Sequence, residues 1–482
     1  MENDSKKPTF GIALLIVAFM FIIIILQLIV AGSPDIHLTL VFSITFATLL
    51  LMRNGTKWSV IEEGIMHGCK IAMIPMLILM FIGMLIPTLI AAGTIPALIY
   101  YGLKIINPSV FLLTAALVCS VSSLCTGSSY TTGGTFGVAF MGISMGLGIP
   151  PALTAGAVIS GAVIGDKLSP LSDSTNLAAG VCETNLFKHI KSMMYTTIPA
   201  FIISCILYAV LGMNYSVSSI DTSSVDIILN GISSTFNVSI GYTLLSLIPL
   251  AVVLIMAAKQ VSALATMVVA SIVAMVIAMI TQGYNPIEMM SFMNYGFSID
   301  TGVEAVNKLL NRGGIQSMMW TVSLGFLGLS YGGILEKTGT LEALLNSMKQ
   351  LTKNAGNLIT THVFSAIIVN LISASQYVSI IIPGRMYLPA YKKLGIRSDV
   401  ASRTCEDSGT VTSPLVPWGL CGVFFTGVLG VNTLEYLPYA FLGYITPVIA
   451  ILYAYTGKFV WKEEITGTVI DVESDNTANG AK

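Results

Sequence analysis

The stretch GAVIGDKLSPLSDSTNLAAG, residues 161–180, places charged and hydroxyl side chains inside some of the most apolar sequence of the chain. Asp166 and Asp173 are seven residues apart, which would put both on one face of a continuous helix. Pro170 disfavours a helix through that point, because proline lacks a backbone N–H. We therefore predict two half-helices joined by a loop.

The composition around this stretch is that of a protein that lies in a membrane. Of the 482 residues, 54% are hydrophobic and 10% are charged, and the mean hydropathy is +0.83. Soluble domains carry about 25% charged residues. Residues 10–32 exceed the roughly 20 apolar residues that cross a bilayer, and this segment is too long for a cleavable signal. A net charge of −1 provides no basic surface for nucleic acid. We predict a polytopic membrane protein.

Short matches recur along the chain at a shift of about 245 residues. The clearest are SPL at 169–171 with SPL at 413–415, SSY at 128–130 with SQY at 375–377, and LYAVLG at 207–212 with LYAYTG at 452–457. Their common order argues for a duplicated unit. Gly, Pro, Ser and Thr interrupt apolar sequence in both copies, as expected of irregular backbone that lines a cavity. We predict an all-α fold of about 12–14 transmembrane segments in two inverted repeats with broken or re-entrant helices.

The basic residues give an orientation, because most of them fall on one side in a single consistent threading. Both termini are then cytoplasmic, and corresponding segments of the two halves run in opposite directions. The predicted organisation is N-terminal transmembrane helices (1–64), transport repeat 1 (65–213), an external loop with connecting transmembrane helices (214–309), transport repeat 2 (310–457) and a cytoplasmic tail (458–482).

Inverted repeats with broken helices at matching positions are typical of secondary transporters, which bind substrate and coupling ions where the halves meet. The first break supplies two carboxylates, Asp166 and Asp173, and carboxylate, carbonyl and hydroxyl oxygens are the ligands that hard cations prefer. Its candidate neutral ligands are Ser169, Ser174, Thr175 and Asn176. We predict a Na⁺ site at the Asp166/Asp173 loop. The alternatives are a lipid-headgroup loop, an Asp166–Lys167 ion pair that only fixes the fold, and Asp173 as a helix cap.

The second break is RTCEDSGTVTSPLVPWG, residues 403–419, and it repeats the acids and hydroxyls of the first. Glu406 and Asp407 would point about 100° apart on a helix, so at most one faces a given site. We favour Asp407 for that role, with Arg403 as a partner for the other acid. The hydroxyl groups that this break adds to the ion-binding candidates are those of Thr410, Thr412 and Ser413.

Two upstream breaks, at 125–135 and 373–379, supply further polar side chains that could line the same cavity. These candidates are Ser128, Ser129, Thr131, Thr132, Ser375 and Gln376. The alternative for each is helix packing through small residues, and Tyr130 and Tyr377 could equally be interfacial anchors. The candidate anion partners are Arg385, Arg403 and Lys167, although Arg385 could also be a snorkelling cation.

Motifs of ATP hydrolysis, metalloprotease chemistry and paired metal-binding cysteines do not occur in the sequence. No histidine or second acid has a spacing that would activate a serine for covalent catalysis. We therefore expect a protein that is not an enzyme and needs no cofactor.

Three stretches resemble the NhaC family of bacterial sodium/proton antiporters, which also includes sodium-lactate/malate-proton antiporters. They are GTIPALIYYGLKIINP (93–108), SSLCTGSSYTTGGTFGVAFMGI (122–143) and GDKLSPLSDSTNLAAG (165–180). The resemblance extends over nearly the whole chain. It implies a cytoplasmic-membrane antiporter of the ion-transporter superfamily, in which Ser/Thr-Asn loops hold Na⁺; the matching residues here are Ser174, Thr175 and Asn176.

The expected function is exchange of Na⁺ for H⁺ across the bacterial cytoplasmic membrane by alternating access. Asp166 or Asp173, helped by Asp407 or Glu406, would bind either Na⁺ or a proton, since a buried carboxylate without its cation favours protonation. The alternative is Na⁺/H⁺-coupled exchange of small carboxylates of the malate/lactate type, with an anion site drawn from Arg385, Arg403, Gln376 and Asn176. A homodimer in the lipid bilayer is compatible with the sequence.

Overall fold

A computed structural model of the protein describes residues 7–31, 35–215 and 222–462. The described residues form helices, apart from connecting segments and one isolated β-bridge between Ile396 and Lys462. The predicted all-α class is therefore confirmed. Residues 1–6 and most of the predicted cytoplasmic tail, 463–482, lie outside the described residues.

The helices follow one another with short connections. The first half contains α1 (Phe10–Ala31), α2 (Ile36–Arg53), α3 (Trp58–Ala91), α4 (Thr94–Ile105), α5 (Pro108–Thr126), α6 (Ser129–Thr132), α7 (Val138–Gly146), α8 (Pro151–Leu168), α9 (Asp173–Val181) and α10 (Leu186–Gly212). The middle section contains α11 (Thr222–Thr235), α12 (Ile240–Ser246), α13 (Ile248–Ala258), α14 (Ala263–Gln282), α15 (Pro286–Tyr295) and α16 (Glu304–Leu310).

The second half contains α17 (Ile315–Lys337), α18 (Thr340–Asn346), α19 (Ala355–Ser373), α20 (Gln376–Lys393), α21 (Ser398–Cys405), α22 (Leu420–Leu429), α23 (Thr433–Tyr436) and α24 (Leu442–Thr456). Among the described residues, two turns are π-helical, Gly133–Gly137 and Glu406–Thr410, and three are 3₁₀-helical, Met348–Leu351, Ser413–Leu415 and Leu437–Tyr439. Wide π turns within α-helices often occur at functional sites.

Within the described ranges, nine helices are long and apolar enough to cross a membrane, or up to eleven if two bent helix pairs are each one span. These pairs are Ser398–Leu415 with Leu420–Leu429, bent by 45°, and Thr433–Tyr439 with Leu442–Thr456, bent by 49°. The helices α8 and α20 also have 18 residues each, but they carry charged side chains. If both cross and each bent pair is also one span, the total is thirteen, within the predicted 12–14.

Corresponding positions of the two halves share unusual backbone conformations. Gly127 ends α5 with φ 65° and Ala374 ends α19 with φ 58°, and each is followed by a serine that caps the next helix, Ser128 or Ser375. These positions are 247 residues apart, the shift at which SSY matches SQY. The recurrence supports the duplication. The inversion of the halves and the five-part division of the chain stay predictions.

The longest helix, α3, packs closely against α17 through glycine. A Cβ atom at Gly64 would lie 2.7 Å from the Cα of Ile334, and one at Gly83 would lie 2.8 Å from the carbonyl oxygen of Gly314. Such contacts are possible only between small residues, as is common between membrane helices. The pair forms a scaffold, and the broken helices lie beside it.

Both predicted breaks are present. Helix α8 ends at Leu168 and α9 begins at Asp173, so the loop 169–172 joins two half-helices as predicted. In the second half, the π turn Glu406–Thr410 and the 3₁₀ turn Ser413–Leu415 lead into a loop before α22. The N–H of Leu420 donates to the carbonyl of Ala374 over 2.8 Å, which joins this break to the α19–α20 break.

Candidate functional site

A cavity of about 690 Å³ lies where the α8–α9 break, the α5–α6 break and the start of α20 meet. Seven predicted site residues line it: Ser128, Ser129, Thr131, Asp166, Asp173, Asn176 and Gln376. The lining thus combines two carboxylates with hydroxyl and amide groups, and its described residues include no Lys, Arg or His. Oxygen ligands of this kind suit a hard cation.

Asp166 lies near the carboxyl end of α8 and is 8% exposed. Its Oδ2 accepts a hydrogen bond from Ser129 Oγ over 2.7 Å. Its Oδ1 is buried and has no hydrogen-bond partner among the described residues. A buried carboxylate oxygen without a partner is costly. Asp166 therefore has one oxygen ready to take a cation or a proton.

Asp173 begins α9 and is held by more partners than Asp166. Its Oδ2 accepts from Tyr377 Oη over 2.8 Å, and its Oδ1 accepts from the N–H of Ser174 over 2.9 Å. The amino end of α9 also favours a negative charge. Asp173 is exposed to the cavity. Its hydrogen bond to Tyr377 connects the α8–α9 break to the α19–α20 break.

The other hydroxyl groups of the first break hold the loop and do not line the cavity. Thr175 Oγ1 donates to the carbonyl of Lys167 over 2.9 Å, which satisfies a free carbonyl at the end of α8. Ser169 Oγ accepts from the N–H of Leu171 over 3.3 Å, and Ser174 Oγ lies 3.1 Å from Ser172 Oγ. These three predicted ion ligands thus make hydrogen bonds within the break itself.

Asp407 does not face the cavity, contrary to the expectation. It forms an ion pair with Lys167, and both side chains are fully buried. Asp407 Oδ1 also accepts from Thr196 Oγ1 over 2.9 Å, and Oδ2 lies 3.7 Å from Arg403 Nε. The reason is physical, since a fully buried carboxylate requires a cationic partner. Lys167 and Arg403, predicted as anion partners, are occupied by this pairing, and Lys167 does not pair with Asp166.

Glu406 is the acid of the second break that has no ion pair in the described structure. It is fully buried, and neither carboxylate oxygen has a hydrogen-bond partner among the described residues. The charges of Lys167, Asp166 and Asp407 all act on it. In such surroundings a carboxyl group is stable as the neutral acid or beside a cation.

The remaining candidates of the second half fix the two breaks to each other. Gln376 Nε2 donates to Thr410 Oγ1 over 3.4 Å, and Gln376 Oε1 accepts from Cys421 Sγ over 2.9 Å. Thr412 Oγ1 accepts from Asn370 Nδ2 over 3.1 Å. Three further candidates are also buried outside the cavity lining: Thr132, Ser375 and Ser413. Gln376 is the one of these second-half candidates that reaches the cavity.

Arg385 lies away from the carboxylate cavity. It is exposed and lines a second cavity of about 710 Å³ together with Asn176, Glu183 and Lys392. Lys392 forms an ion pair with Glu183 over 2.6 Å. Asn176 lines both cavities. Among the predicted cation ligands, it is the residue that shares a cavity with Arg385.

Two contributors to the site were missed from the sequence. Tyr377, for which the sequence leaves an interfacial anchor equally open, donates a hydrogen bond to Asp173; its position beside Gln376 in the repeated SQY stretch is a usable signal. Thr196 donates to Asp407 from the middle of α10. A single hydroxyl in an apolar helix carries no signal that distinguishes it from a packing residue.

The sequence model of the Na⁺/H⁺ antiporter family matches residues 5–175 and 161–458. The chain is 39% identical to the Na(+)/H(+) antiporter NhaC of Alkalihalophilus pseudofirmus over 461 residues, 95% of this chain and 98% of that protein. It is also 39% identical to the Na(+)/H(+) antiporter NhaC of Bacillus subtilis over 457 residues, 95% of this chain and 100% of that protein.

A third relative carries a different name. The chain is 38% identical to the malate-2H(+)/Na(+)-lactate antiporter of Bacillus subtilis over 459 residues, 95% of this chain and 97% of that protein. These similarities extend over both broken regions and the helices that connect them. All three relatives are named as antiporters, and none is named as an enzyme.

Proposed function

The chain belongs to the Na⁺/H⁺ antiporter family, and from that membership we propose that it exchanges Na⁺ for H⁺ across the bacterial cytoplasmic membrane by alternating access. The resemblance to the NhaC family is thereby confirmed. The proposal includes the predicted threading with both termini in the cytoplasm. It also keeps the expectation that no cofactor takes part, with Na⁺ and H⁺ as the transported ions.

The observation that carries the proposal is that the two carboxylate oxygens of Asp166 differ in their hydrogen bonding. Ser129 holds Oδ2, whereas Oδ1 is buried without a partner beside a cavity lined by neutral oxygens. A cation at Oδ1 can complete its coordination with hydroxyl and amide oxygens of the same lining. A proton can instead bind to Oδ1 and neutralise its charge without any ligand from the lining.

Exchange follows from competition for this one carboxylate. When Na⁺ leaves, Asp166 keeps an uncompensated charge in surroundings of low dielectric, which favours uptake of a proton. When Na⁺ binds, the proton is released. If the protein changes between its two orientations only with the site occupied, each Na⁺ that leaves is replaced by H⁺, and the proton gradient drives Na⁺ out of the cell.

The described conformation is assigned as open to the cytoplasm. The cavity is bordered by Gln260, Val261 and Ser262, which connect α13 to α14. Lys259 adjoins this connection, and in the proposed threading it lies on the cytoplasmic side. Opening on the other side would require the broken helices to move relative to the α3–α17 scaffold.

The test is Na⁺-dependent collapse of a pH gradient in everted membrane vesicles, together with uptake of radioactive Na⁺. Asp166→Asn should abolish both signals, because an amide neither carries the charge nor exchanges a proton. Glu62→Gln removes an exposed carboxylate from α3 and serves as the matched control with wild-type activity. Full exchange by Asp166→Asn, at equal amounts of folded protein, would remove Asp166 from the mechanism.

The second candidate function is Na⁺/H⁺-coupled exchange of a small carboxylate, and the size of the cavity favours it. About 690 Å³ exceeds the space of a single ion with a few waters, given roughly 30 Å³ for a water molecule. The absence of a cationic side chain from the described lining argues the other way. Purified protein in liposomes should be assayed for Na⁺/H⁺ exchange and for counterflow of labelled malate and lactate. Counterflow that requires Na⁺ would favour the second candidate.

A further inference from the structure

The last described residues, 458–462, follow α24 and contact α10 and α21, and we call this segment the strap. The N–H of Arg397 donates to the carbonyl of Trp461 over 3.0 Å, and Ile396 pairs with Lys462 in a β-bridge. The ring of Phe459 stacks on Tyr195 with centroids 4.5 Å apart. The strap is thus attached both by its backbone and by aromatic contacts.

Phe459 has a backbone conformation that its own side chain disfavours. Its φ is 55°, in the left-handed region that residues other than glycine seldom adopt. Such a conformation persists where neighbouring contacts enforce it. Here Tyr195 and Tyr453 enclose the Phe459 ring, with centroids 4.5 and 4.9 Å away. The strained turn directs the Phe459 carbonyl oxygen toward the protein interior.

That carbonyl oxygen accepts a hydrogen bond from Arg403, a residue of the buried charge cluster. Arg403 Nη1 donates to the Phe459 oxygen over 2.9 Å, and the guanidinium lies 5.6 Å from the ring of Trp461. The side chain of Arg403 is 1% exposed, and its Nε and Nη2 have no hydrogen-bond partner among the described residues. Within the described structure, the strap therefore supplies the one hydrogen-bond acceptor of this guanidinium.

The strap holds Arg403 at a defined distance from Asp407. Arg403 Nε is 3.7 Å from Asp407 Oδ2, near enough for attraction but too far for a hydrogen bond. The other oxygen of Asp407 is taken by Lys167 and Thr196. Lys167 directly follows Asp166 in α8. A short series of charges thus connects the strap to the cavity carboxylate.

We propose that the strap is a positioning element for ion exchange: by holding Arg403 back from Asp407, it keeps Asp407 paired with Lys167 and so keeps the Lys167 charge away from Asp166. This inference rests on the proposed function at Asp166. Arg403 and the strap residues are positioning residues, since none of them touches the cavity.

Loss of the strap has a directional consequence. Arg403 loses its acceptor and its aromatic neighbour, and Asp407 Oδ2 is the nearest unsatisfied carboxylate oxygen. A closer Arg403–Asp407 pair weakens the hold of Asp407 on Lys167. The less compensated ammonium group makes the potential at Asp166 more positive. Binding of Na⁺ should then weaken, whereas the rate at saturating Na⁺ should change little.

The decisive experiment compares two truncations in reconstituted liposomes. A chain ending at Lys462 lacks 463–482 but keeps the strap, and a chain ending at Gly457 lacks both. We expect the first to retain the wild-type apparent KM for Na⁺. The second should show a KM raised roughly threefold or more at an almost unchanged maximal rate, as for coupled charged neighbours. Equal KM values for the two chains would overturn the inference.

Full-length variants keep the test decisive if the shorter chain does not fold. Trp461→Ala should raise the KM for Na⁺, and Trp461→Phe should largely restore it, because an aromatic face beside Arg403 is retained. A purely structural strap would lower the thermal stability or the maximal rate of Trp461→Ala without moving KM, and that result would refute the inference. A wild-type protein without Na⁺/H⁺ exchange would instead overturn the proposed function, and this inference with it.

Discussion

Lys167 and Asp407 form a fully buried ion pair between residues 240 positions apart in the sequence. One lies at the end of α8 and the other in the π turn Glu406–Thr410, so the pair connects the two broken regions. Both residues adjoin acids with unpaired oxygens, Asp166 and Glu406. The pair therefore fixes the position of Asp166, on which exchange is proposed to depend, relative to the buried carboxyl group of Glu406.

Breaking this ion pair should reduce the stability of the protein, and the loss should differ between substitutions of its two residues. Asp407→Asn leaves Lys167 and Arg403 buried together without an anion, and we expect a loss of about 3–5 kcal/mol in stability. Lys167→Met should cost less, because Arg403 remains beside Asp407. The double variant should be more stable than the sum of the two losses predicts. Thermal unfolding in detergent measures all three, and strict additivity would show that the pair has no energetic coupling.

Ser129→Ala should weaken Na⁺ binding while leaving the fold intact. The change removes the hydrogen bond to Asp166 Oδ2 that stabilises the carboxylate, so a proton competes more strongly with Na⁺ for this group. A lost hydrogen bond to a charged group is worth about 1.5–3 kcal/mol, so the apparent KM for Na⁺ should rise roughly tenfold or more. Ser192→Ala, which removes a buried hydroxyl that has no hydrogen-bond partner in the described structure, is the control. Similar KM values for the two variants would contradict the role of Ser129.

Asp173 should be less critical than Asp166, because it already has two donors. Tyr377→Phe removes the hydroxyl that Asp173 Oδ2 accepts from, at an exposed carboxylate. We expect a change of about twofold to fivefold in the apparent KM for Na⁺, equivalent to roughly 0.5–1 kcal/mol. Asp173→Asn should have a larger effect than Tyr377→Phe and a smaller one than Asp166→Asn. Isotope uptake over a range of Na⁺ concentrations gives this order directly, and complete inactivity of Asp173→Asn alone would reverse the ranking.

The two helix ends that precede the capping serines offer a matched pair of backbone variants. Ala374 has φ 58°, so Ala374→Gly should relieve strain and raise stability by about 0.5–1 kcal/mol. Gly127→Ala should destabilise by more than that, since φ is 65° and the new Cβ would lie 2.7 Å from the Cβ of Leu171. Thermal unfolding midpoints that move in the same direction for both would show that the two positions are not equivalent.

The class and the first site were accessible from the sequence because each has a physical signature. Apolar composition predicts the membrane, and polar residues with Pro170 inside that composition predict a broken helix at a cavity. Asp166 and Ser129 reach that cavity as expected. Ser169 and Thr175 do not, because a hydroxyl that caps a helix end and one that binds an ion look the same in a sequence.

The second site was less accessible, because its geometry depends on a turn that local sequence does not predict. On an ordinary helix either Glu406 or Asp407 could face the cavity, but in the π turn both are fully buried away from it, and the distant Lys167 pairs with Asp407. The strap presents the same difficulty. Neither the φ of Phe459 nor its hydrogen bond from Arg403 follows from residues near it in the chain.

The buried cluster around the ion pair contains three carboxyl groups, Asp166, Glu406 and Asp407, and two cationic side chains, Lys167 and Arg403. Fully ionised, this assembly bears one excess negative charge, which a single Na⁺ or a single proton cancels. A net charge at the middle of a bilayer costs several kcal/mol, and a neutral assembly avoids that cost. The cost of the net charge would then prevent the empty protein from changing its orientation, whereas the protein with one Na⁺ or one proton bound could change. Neither ion would then cross the membrane without exchange for the other.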